Sequence, residues 1–372
     1  MPNRKILIAL SGGVDSAVSA ALLKKQGFDV FGVHFCFFDP PKAGKADGSL
    51  KKAKLVAEKL NIPLEIVDAR KEFKKKIIDY FIQAYKKGIT PNPCVVCNRE
   101  MKFALLFEML KKYKADFMAT GHYARIKREF SIFNFQFSNN SKISKFQNVK
   151  LLQATDKSKD QSYFLYRLSQ NNLSRIIFPL GTLKKTEVRK LAKKFKLPIF
   201  GEKESQDVCF LAGTDINSFL KKYLKPKSGN IVDESGKILA KHKGLPFYTI
   251  GQRKGIEIGG GGPYFVIGKN LKKKELAVSN DPTKLLVKKF EVNQVNWANK
   301  GNWGNKGDRL GKYILQAHVQ IRYHSEKIPA IIRLSKSGKL VIETKKPLRA
   351  VTPGQSTVFY KKGEVLGGGV IC

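Results

Sequence analysis

The stretch Ser11-Gly12-Gly13-Val14-Asp15-Ser16 constrains the fold more than any other part of the chain. Ahead of it, Ile6-Leu7-Ile8-Ala9-Leu10 carries no charge and has the length of a strand buried on both faces. Behind it, Val14, Ala17, Val18, Ala21 and Leu22 recur at helical spacing, and Gly27 stands where such a helix would stop. Two glycines at a strand-to-helix junction let backbone N–H groups come close to a ligand, and the positive end of the helix favours an anion there. The junction therefore reads as a phosphate cradle. It is not a Walker A loop, because the closing Lys-Ser/Thr pair is missing.

A chain of 372 residues exceeds one typical core, so two or three domains are expected. Lys and Arg total 70 against 30 acidic residues, a net charge of +40. That excess favours a polyanionic partner, most simply nucleic acid. It is mostly Lys, however, and pairs such as Lys24-Lys25, Lys111-Lys112 and Lys193-Lys194 fall on expected helices, where they also serve as solvated faces. No apolar run reaches the ~18 residues of a membrane span. The first strand follows Met1-Pro2-Asn3-Arg4 too closely for a signal peptide. Five cysteines in a long chain argue against a secreted disulfide framework, which makes the cytoplasm the expected compartment.

Further strands are expected at 28–35, 64–68 and 116–120, with helices at 51–60 and from Phe73 to Gly88. Strands alternating with helices give a parallel sheet whose ligands sit at the strands' carboxyl ends. The loop after Leu10, Phe35 and Gly121-His122 then share one rim. Between about Ile126 and Ala154 the pattern breaks: Phe133, Phe135 and Phe137 alternate with polar residues before Ser138-Asn139-Asn140-Ser141 and Val149-Lys150-Leu151-Leu152. A hairpin insertion and a loose surface loop fit this stretch equally. Helical spacing returns at 169–177 and 182–195, and a hairpin turn is expected at 233–237. From Val287 onward, period-two segments at 313–321, 328–334, 340–343, 356–360 and 365–371 imply a small β-barrel.

The cysteines divide by context. Cys94 and Cys97 lie in Pro91-Asn92-Pro93-Cys94-Val95-Val96-Cys97-Asn98, a stiff segment in which Asn98 can cap a following helix. A thiol just before a helix N-terminus is expected to ionise easily. Structural zinc would need a second pair at similar spacing, and Cys36, Cys209 and Cys372 are isolated. Cys209 lies in the polar run Glu204-Ser205-Gln206-Asp207-Val208-Cys209 and is expected at the surface. Cys36 between two phenylalanines reads as a core thiol, and Cys372 has no evident partner.

Taken together, these stretches resemble the tRNA-specific 2-thiouridylase (MnmA/TrmU) family of the ATP-pyrophosphatase superfamily, through nearly the whole chain. The resemblance is carried by Ser11-Gly12-Gly13-Val14-Asp15-Ser16, Thr90-Pro91-Asn92-Pro93, Cys97-Asn98-Arg99-Glu100-Met101-Lys102-Phe103 and Thr120-Gly121-His122-Tyr123. Lys159-Asp160-Gln161-Ser162-Tyr163-Phe164-Leu165, Gln206-Asp207-Val208-Cys209-Phe210, Gly251-Gln252-Arg253-Lys254-Gly255 and Val351-Thr352-Pro353-Gly354-Gln355 follow in the same order. It implies an N-terminal α/β domain over 1–211, with a Rossmann-like parallel sheet of the adenine-nucleotide α-hydrolase type and an insertion near 126–154. A small central α+β domain over 212–286 and a C-terminal tRNA-binding β-barrel over 287–372 complete the expected layout.

The resemblance also implies chemistry: ATP-dependent adenylation of the O2 of a tRNA wobble uridine, then sulfur transfer from a cysteine persulfide to give 2-thiouridine. Ala9, Leu10, Ser11, Gly12, Gly13, Val14, Asp15 and Ser16 would hold the ATP phosphates, with Phe35 and Gly121 at the nucleotide. Cys97 matches the family nucleophile and Cys209 the persulfide carrier, the two ending as a disulfide. Asn92, Pro93 and Cys94 would meet the target base, and His122, Lys159, Asp160, Gln161, Arg322, Tyr323 and Gln355 the rest of the tRNA. Mg²⁺ is implied by the ATP chemistry, with Asp15 the nearest carboxylate, and a cysteine desulfurase or relay protein would supply sulfur to a monomer. Cys94 stands where the best-known members have Asp, so Cys94, Cys97 and Cys209 could instead ligate an iron–sulfur cluster; the cluster-free route is the favoured expectation. Two other readings compete: a synthetase of the same superfamily that adenylates a small molecule, and a non-catalytic ATP- and RNA-binding module.

Overall fold

The structure, a computed structural model, describes residues 4–38, 48–129, 148–201, 208–211, 213–259, 262–298 and 314–372. The first half runs β1 (Lys5–Ala9), α1 (Val14–Lys25), β2 (Asp29–Cys36), α2 (Gly48–Leu60) and β3 (Leu64–Asp68). A helical run follows, α3 (Arg70–Phe73), a π-turn over Lys74–Ile78 and α4 (Asp79–Lys86). Next come α5 (Pro93–Cys97), a second π-turn over Asn98–Lys102, α6 (Phe103–Lys112) and β4 (Phe117–Ala119). β5 (Ala124–Glu129), β6 (Asn148–Gln153), α7 (Gln170–Arg175), β7 (Ile176–Ile177) and α8 (Lys185–Lys194) close this half.

Ile6, Leu7 and Ile8 are fully buried because β1 is the middle strand of a parallel sheet ordered β3-β2-β1-β4-β7. The chain winds outward from β1 through β2 and β3 on one side, then through β4 and β7 on the other. The carboxyl ends of β1 and β4 therefore flank the topological switch point, where open α/β sheets bind ligands. α1, α2 and α8 cover one face through Val18, Ala20, Val56, Val188 and Ala192. α6 covers the other through Phe103, Leu106 and Leu110, joined by Tyr163, Leu165 and Tyr166. The helix expected over 169–177 is cut short: α7 ends at Arg175, and Ile176–Ile177 pairs with Met118 and Ala119 as the sheet's edge. Two residues are too few to show a strand period, so only the paired neighbour reveals this strand.

The central unit comprises α9 (Ile216–Lys221), β8 (Gly229–Val232), β9 (Ile238–His242), β10 (Phe265–Asn270) and β11 (Glu275–Ser279), in sheet order β10-β11-β8-β9. Its core is not private. Phe219, Leu220, Ile231, Val266 and Leu276 pack with Phe73, Phe81 and Tyr85 of the preceding helices and with Cys97 and Met101.

The last unit is a closed six-stranded barrel built from β12 (Leu286–Trp297), β13 (Ile314–Gln320), β14 (Ile328–Leu334), β15 (Leu340–Arg349), β16 (Ser356–Lys361) and β17 (Glu364–Ile371). Closure comes from β12, which pairs with β15 along one stretch and with β17 along another. Val292, Val319, Ile332, Ile342, Phe359 and Leu366 fill the interior. The arms of the expected insertion are a true antiparallel hairpin, Ala124 facing Gln153 and Glu129 facing Asn148. They extend the barrel sheet through Leu152 against Glu364. The phenylalanine-rich middle, with Phe133, Phe135 and Phe137, lies outside the described residues.

Candidate active site

After β1 the Leu10 N–H bonds the Val33 carbonyl at 2.8 Å, and the chain turns through Ser11-Gly12-Gly13. Gly12 takes a φ of +77°, and a Cβ there would run into the Ser49 carbonyl at the start of α2. Only glycine fits. Gly13 is extended and caps α1 without a side chain; a Cβ there would meet only Ser11 Oγ, at 3.5 Å. Ser16 Oγ fastens the turn, accepting the Ser11 N–H at 3.2 Å and donating to the Gly13 carbonyl at 2.9 Å. Gly121, on the rim after β4, closes the other wall: a Cβ on it would stand 2.7 Å from the Ser16 nitrogen. The turn thus stands at the switch point, where the first-turn amides of α1 have no intrahelical acceptor, the arrangement that suits an anion. Phe35 lies half-buried at the end of β2, its ring 5.7 Å from that of Phe37.

Asp15, in the first turn of α1, is held from two sides. Lys185 Nζ reaches its two carboxylate oxygens at 2.7 and 2.9 Å, and Tyr123 donates its hydroxyl at 2.8 Å. Lys185 is 9% exposed and opens α8, where its backbone N–H bonds the Asp156 carboxylate at 2.9 Å. A cation buried beside a phosphate cradle was missed by motif reading. One signal existed: a lysine in the first turn of a helix opposes the dipole and needs an external reason. Asp15 supplies one carboxylate, which with substrate phosphates suits Mg²⁺, an ion that keeps several waters and rarely takes an all-protein cage.

The thiols are arranged differently from the expectation. Asn92, not Asn98, caps α5, its side chain accepting the Val95 N–H at 3.4 Å with Pro93 in the first turn. Asn98 lies inside the helical run and donates its amide to the Phe164 carbonyl at 3.2 Å. Cys97 therefore sits at the end of α5, 6% exposed, and burial pushes its thiol up to about 12. Desolvation also raises Cys94 and, although its side chain reaches the surface, Cys209, while the Lys102 ammonium pulls all three thiols down. The expected dipole activation is overturned by desolvation. Cys209 is exposed at the surface, anchored by Phe210, whose ring meets Phe81 at 5.2 Å and Phe219 at 5.4 Å. Cys36 is only half-buried rather than a core thiol, and Cys372 is exposed. Among the described residues no group of three His, Cys, Asp or Glu side chains is arranged to hold a metal.

His122 follows β4 on the same rim. Its Nδ1 lies 2.8 Å from Thr120 Oγ1, and its ring sits between Phe103 at 5.8 Å and Phe178 at 6.1 Å. Burial, with the Lys102 charge nearby, depresses its pKa to about 3, so the imidazole is neutral.

The barrel meets this rim through one turn. Gln355 donates to the carbonyls of Thr90 and Pro91, both at 3.1 Å, and the Thr90 N–H bonds the Pro353 carbonyl at 3.0 Å. Gly354, at a φ of +91°, lies so close to Ile89 that any side chain would collide. Arg322 is half-buried and spends its guanidinium on the Ala350 carbonyl (2.6 Å) and Thr352 Oγ1 (3.1 Å). Tyr323 packs its ring 4.5 Å from Phe164. Asp160 is buried, accepting from Gln153, Ala154 and Ser162, and Gln161 exchanges two hydrogen bonds with the Tyr123 backbone. Lys159 is half-buried on the same segment. The chain thus brings Asn92, Cys94, Cys97, Tyr163, Tyr323 and Gln355 toward one region through its own contacts, while Asp160, Gln161 and Arg322 face inward.

A parallel-sheet domain with a glycine turn at its switch point, followed by a small central sheet and a closed barrel, has the architecture of a nucleotide-binding α/β protein with two appended domains. Family models agree: 4–213 match the tRNA methyl transferase HUP domain, 217–280 the tRNA methyl transferase PRC-barrel domain and 287–371 the aminomethyltransferase beta-barrel domain. A tRNA-specific 2-thiouridylase MnmA 2 from Clostridium botulinum is 38% identical over 373 residues, covering 98% of each chain. One from Syntrophomonas wolfei is 38% identical over 370 residues, 99% of each chain. Another, from Thermoanaerobacter sp., is 39% identical over 379 residues, 99% of this chain and 98% of the relative. The chain belongs to the tRNA-specific 2-thiouridylase family.

Proposed function

We propose that the protein is a tRNA-uridine 2-sulfurtransferase that adenylates the wobble uridine of tRNA and replaces its O2 with sulfur. The observation that carries this reading is the Gly12-Gly13 turn at the sheet's switch point in a chain that also holds a buried Cys97 and an exposed Cys209. The uridine 2-carbonyl is a poor electrophile, so its oxygen must first be made a leaving group. The α1 amides and Lys185 hold the ATP phosphates while uridine O2 attacks the α-phosphorus and pyrophosphate departs. Bound Mg²⁺, held by Asp15 and the phosphates, would screen the charge of the departing pyrophosphate.

The thiols then act in turn. The terminal sulfur of a Cys209 persulfide attacks C2, and AMP leaves with the former O2. Cys97 thiolate attacks the Cys209 sulfur, the S–S bond breaks and its electron pair forms the C2–sulfur double bond. A Cys97–Cys209 disulfide remains and needs an external dithiol to reopen it. Asn92, Pro93 and Cys94 meet the base in this reading, with His122 a neutral hydrogen-bonding partner. Tyr323 and Phe164 offer the aromatic platform that unstacked bases use, and Lys159 the phosphate contact. Asp160, Gln161, Arg322 and Gln355 act by shaping that surface. The protein works as a cytoplasmic monomer supplied by a cysteine desulfurase or a sulfur relay protein.

Pyrophosphate release tests the assignment. It is expected to require tRNA containing the wobble uridine. Release driven equally well by a small molecule, or no release with any tRNA, would refute it.

A further inference from the structure

Cys94, Cys97, Cys209 and His122 share one positive neighbour, for the Lys102 charge acts on all four. The backbone explains how. Cys94 and Cys97 are three residues apart on α5 and so lie on one face. The π-turn Asn98–Lys102 follows, closed by the Phe103 N–H bonding the Asn98 carbonyl. A π-turn widens the helix by one residue and is frequent at functional sites; Lys102 is its last residue, five positions and about one widened turn beyond Cys97. Cys209 arrives from the other side, on the loop pinned by Phe210.

Lys102 is half-buried, and among the described residues its ammonium makes no hydrogen bond or ion pair. Two other sheltered lysines have carboxylate partners: the buried Lys185 has Asp15, and the half-buried Lys327 has Asp160 at 4.0 Å. Arg99, the nearest alternative cation on this turn, pairs with Glu100 at 3.2 Å at the surface. A sheltered ammonium with no partner among the described residues favours an anion beside it. The reaction offers such anions in the sulfurs.

We propose that Lys102 is the cation of the sulfur-transfer step, its ammonium holding the anionic sulfur of Cys97 and of the Cys209 persulfide. The thiol protons pass to water, and no bond to the Lys102 nitrogen forms. It is a positioning residue that makes two burdened thiols usable at neutral pH. The thiolation reading is assumed for the product, but the thiol chemistry is measurable without tRNA.

The test compares wild type with Lys102→Met, which keeps the stem, and Lys102→Arg, which keeps the charge. The full chain is alkylated with iodoacetamide across pH, and modification at Cys209 is followed by mass spectrometry. Removing one nearby positive charge is expected to raise the midpoint and to slow alkylation about tenfold at neutral pH, with Arg restoring most of the rate. The 2-thiouridine yield falls by a similar factor, while tRNA-dependent pyrophosphate release stays within about twofold of wild type. An unchanged alkylation profile in Lys102→Met overturns the proposal, as does a loss of pyrophosphate release equal to the loss of product, which would move the ammonium to the nucleotide. Should Lys102→Met not fold, Lys102→Gln is read by the same criteria. Absence of pyrophosphate release in wild type would instead strike the thiolation reading and leave the alkylation result standing.

Discussion

Replacing Lys185 by Met deletes an ammonium from the phosphate loop while keeping most of the side chain's bulk. The variant leaves Asp15 with the Tyr123 hydroxyl as its hydrogen-bond partner from this cluster. Breaking a fully buried pair costs about 3–5 kcal/mol. Here the Lys185 side chain is 11% exposed but that of Asp15 is 34% exposed, so water reaches the stranded carboxylate. The expected loss is therefore about 1–2 kcal/mol, or roughly 2–8 °C in the melting temperature of the first domain. Function should suffer more. A charge-assisted hydrogen bond to a phosphate is worth about 1.5–3 kcal/mol, which weakens ATP binding roughly 10- to 150-fold. The assay is calorimetric titration with ATP, AMP and adenosine at saturating Mg²⁺. Selective loss of ATP affinity places Lys185 on the outer phosphates. Equal weakening of all three ligands, or none for ATP, would refute the reasoning, because the ion pair would then be structural only.

Two further outcomes follow from the same geometry. Gly12→Ala forces both a left-handed residue and a collision with Ser49, and should lower the melting temperature. At Gly13 an added Cβ meets only Ser11 Oγ among the described residues, so Gly13→Ala should melt like wild type yet lose pyrophosphate release; full turnover would put the phosphates elsewhere. His122 has a pKa depressed from 6.5 to about 3, so its contribution to stability is present above about pH 6.5 and is lost as pH falls toward 3. That drop corresponds to at most roughly 5 kcal/mol, and a partly exposed ring brings it nearer 2. Acid unfolding of His122→Gln should accordingly be shallower across this window, and an identical pH profile would contradict the burial of the ring.

The β1 strand, the Ser11–Ser16 turn and the barrel strands were legible because each announces itself locally, by an unbroken apolar run or by period-two alternation. The features that escaped depend on partners distant in sequence. β7 is a strand only because Met118 and Ala119 offer it an edge. The 124–153 hairpin belongs to the barrel sheet through Glu364, more than 200 residues away. The expectation of an easily ionised Cys97 missed for a related reason. The dipole argument for Cys97 used the neighbouring sequence, whereas its surroundings are set by Phe81, Phe219 and the central sheet, which desolvate it. Arg322 shows the same limit, its fork being committed to the Ala350–Thr352 turn rather than displayed. Motif order named the candidate residues; it did not disclose which of them are displayed and which are tied to the wall.

The central claim is that this chain places sulfur on the wobble uridine through Cys97 and Cys209. Nucleoside mass spectrometry of tRNA from cells lacking the gene, complemented with wild type, Cys209→Ser, Cys97→Ser or Cys36→Ser, tests it most directly. The account predicts that the wobble 2-thiouridine vanishes on deletion, returns with wild type and with Cys36→Ser, and stays absent with either of the other two. Undiminished 2-thiouridine in the deletion strain, or its full return with Cys209→Ser, would contradict it.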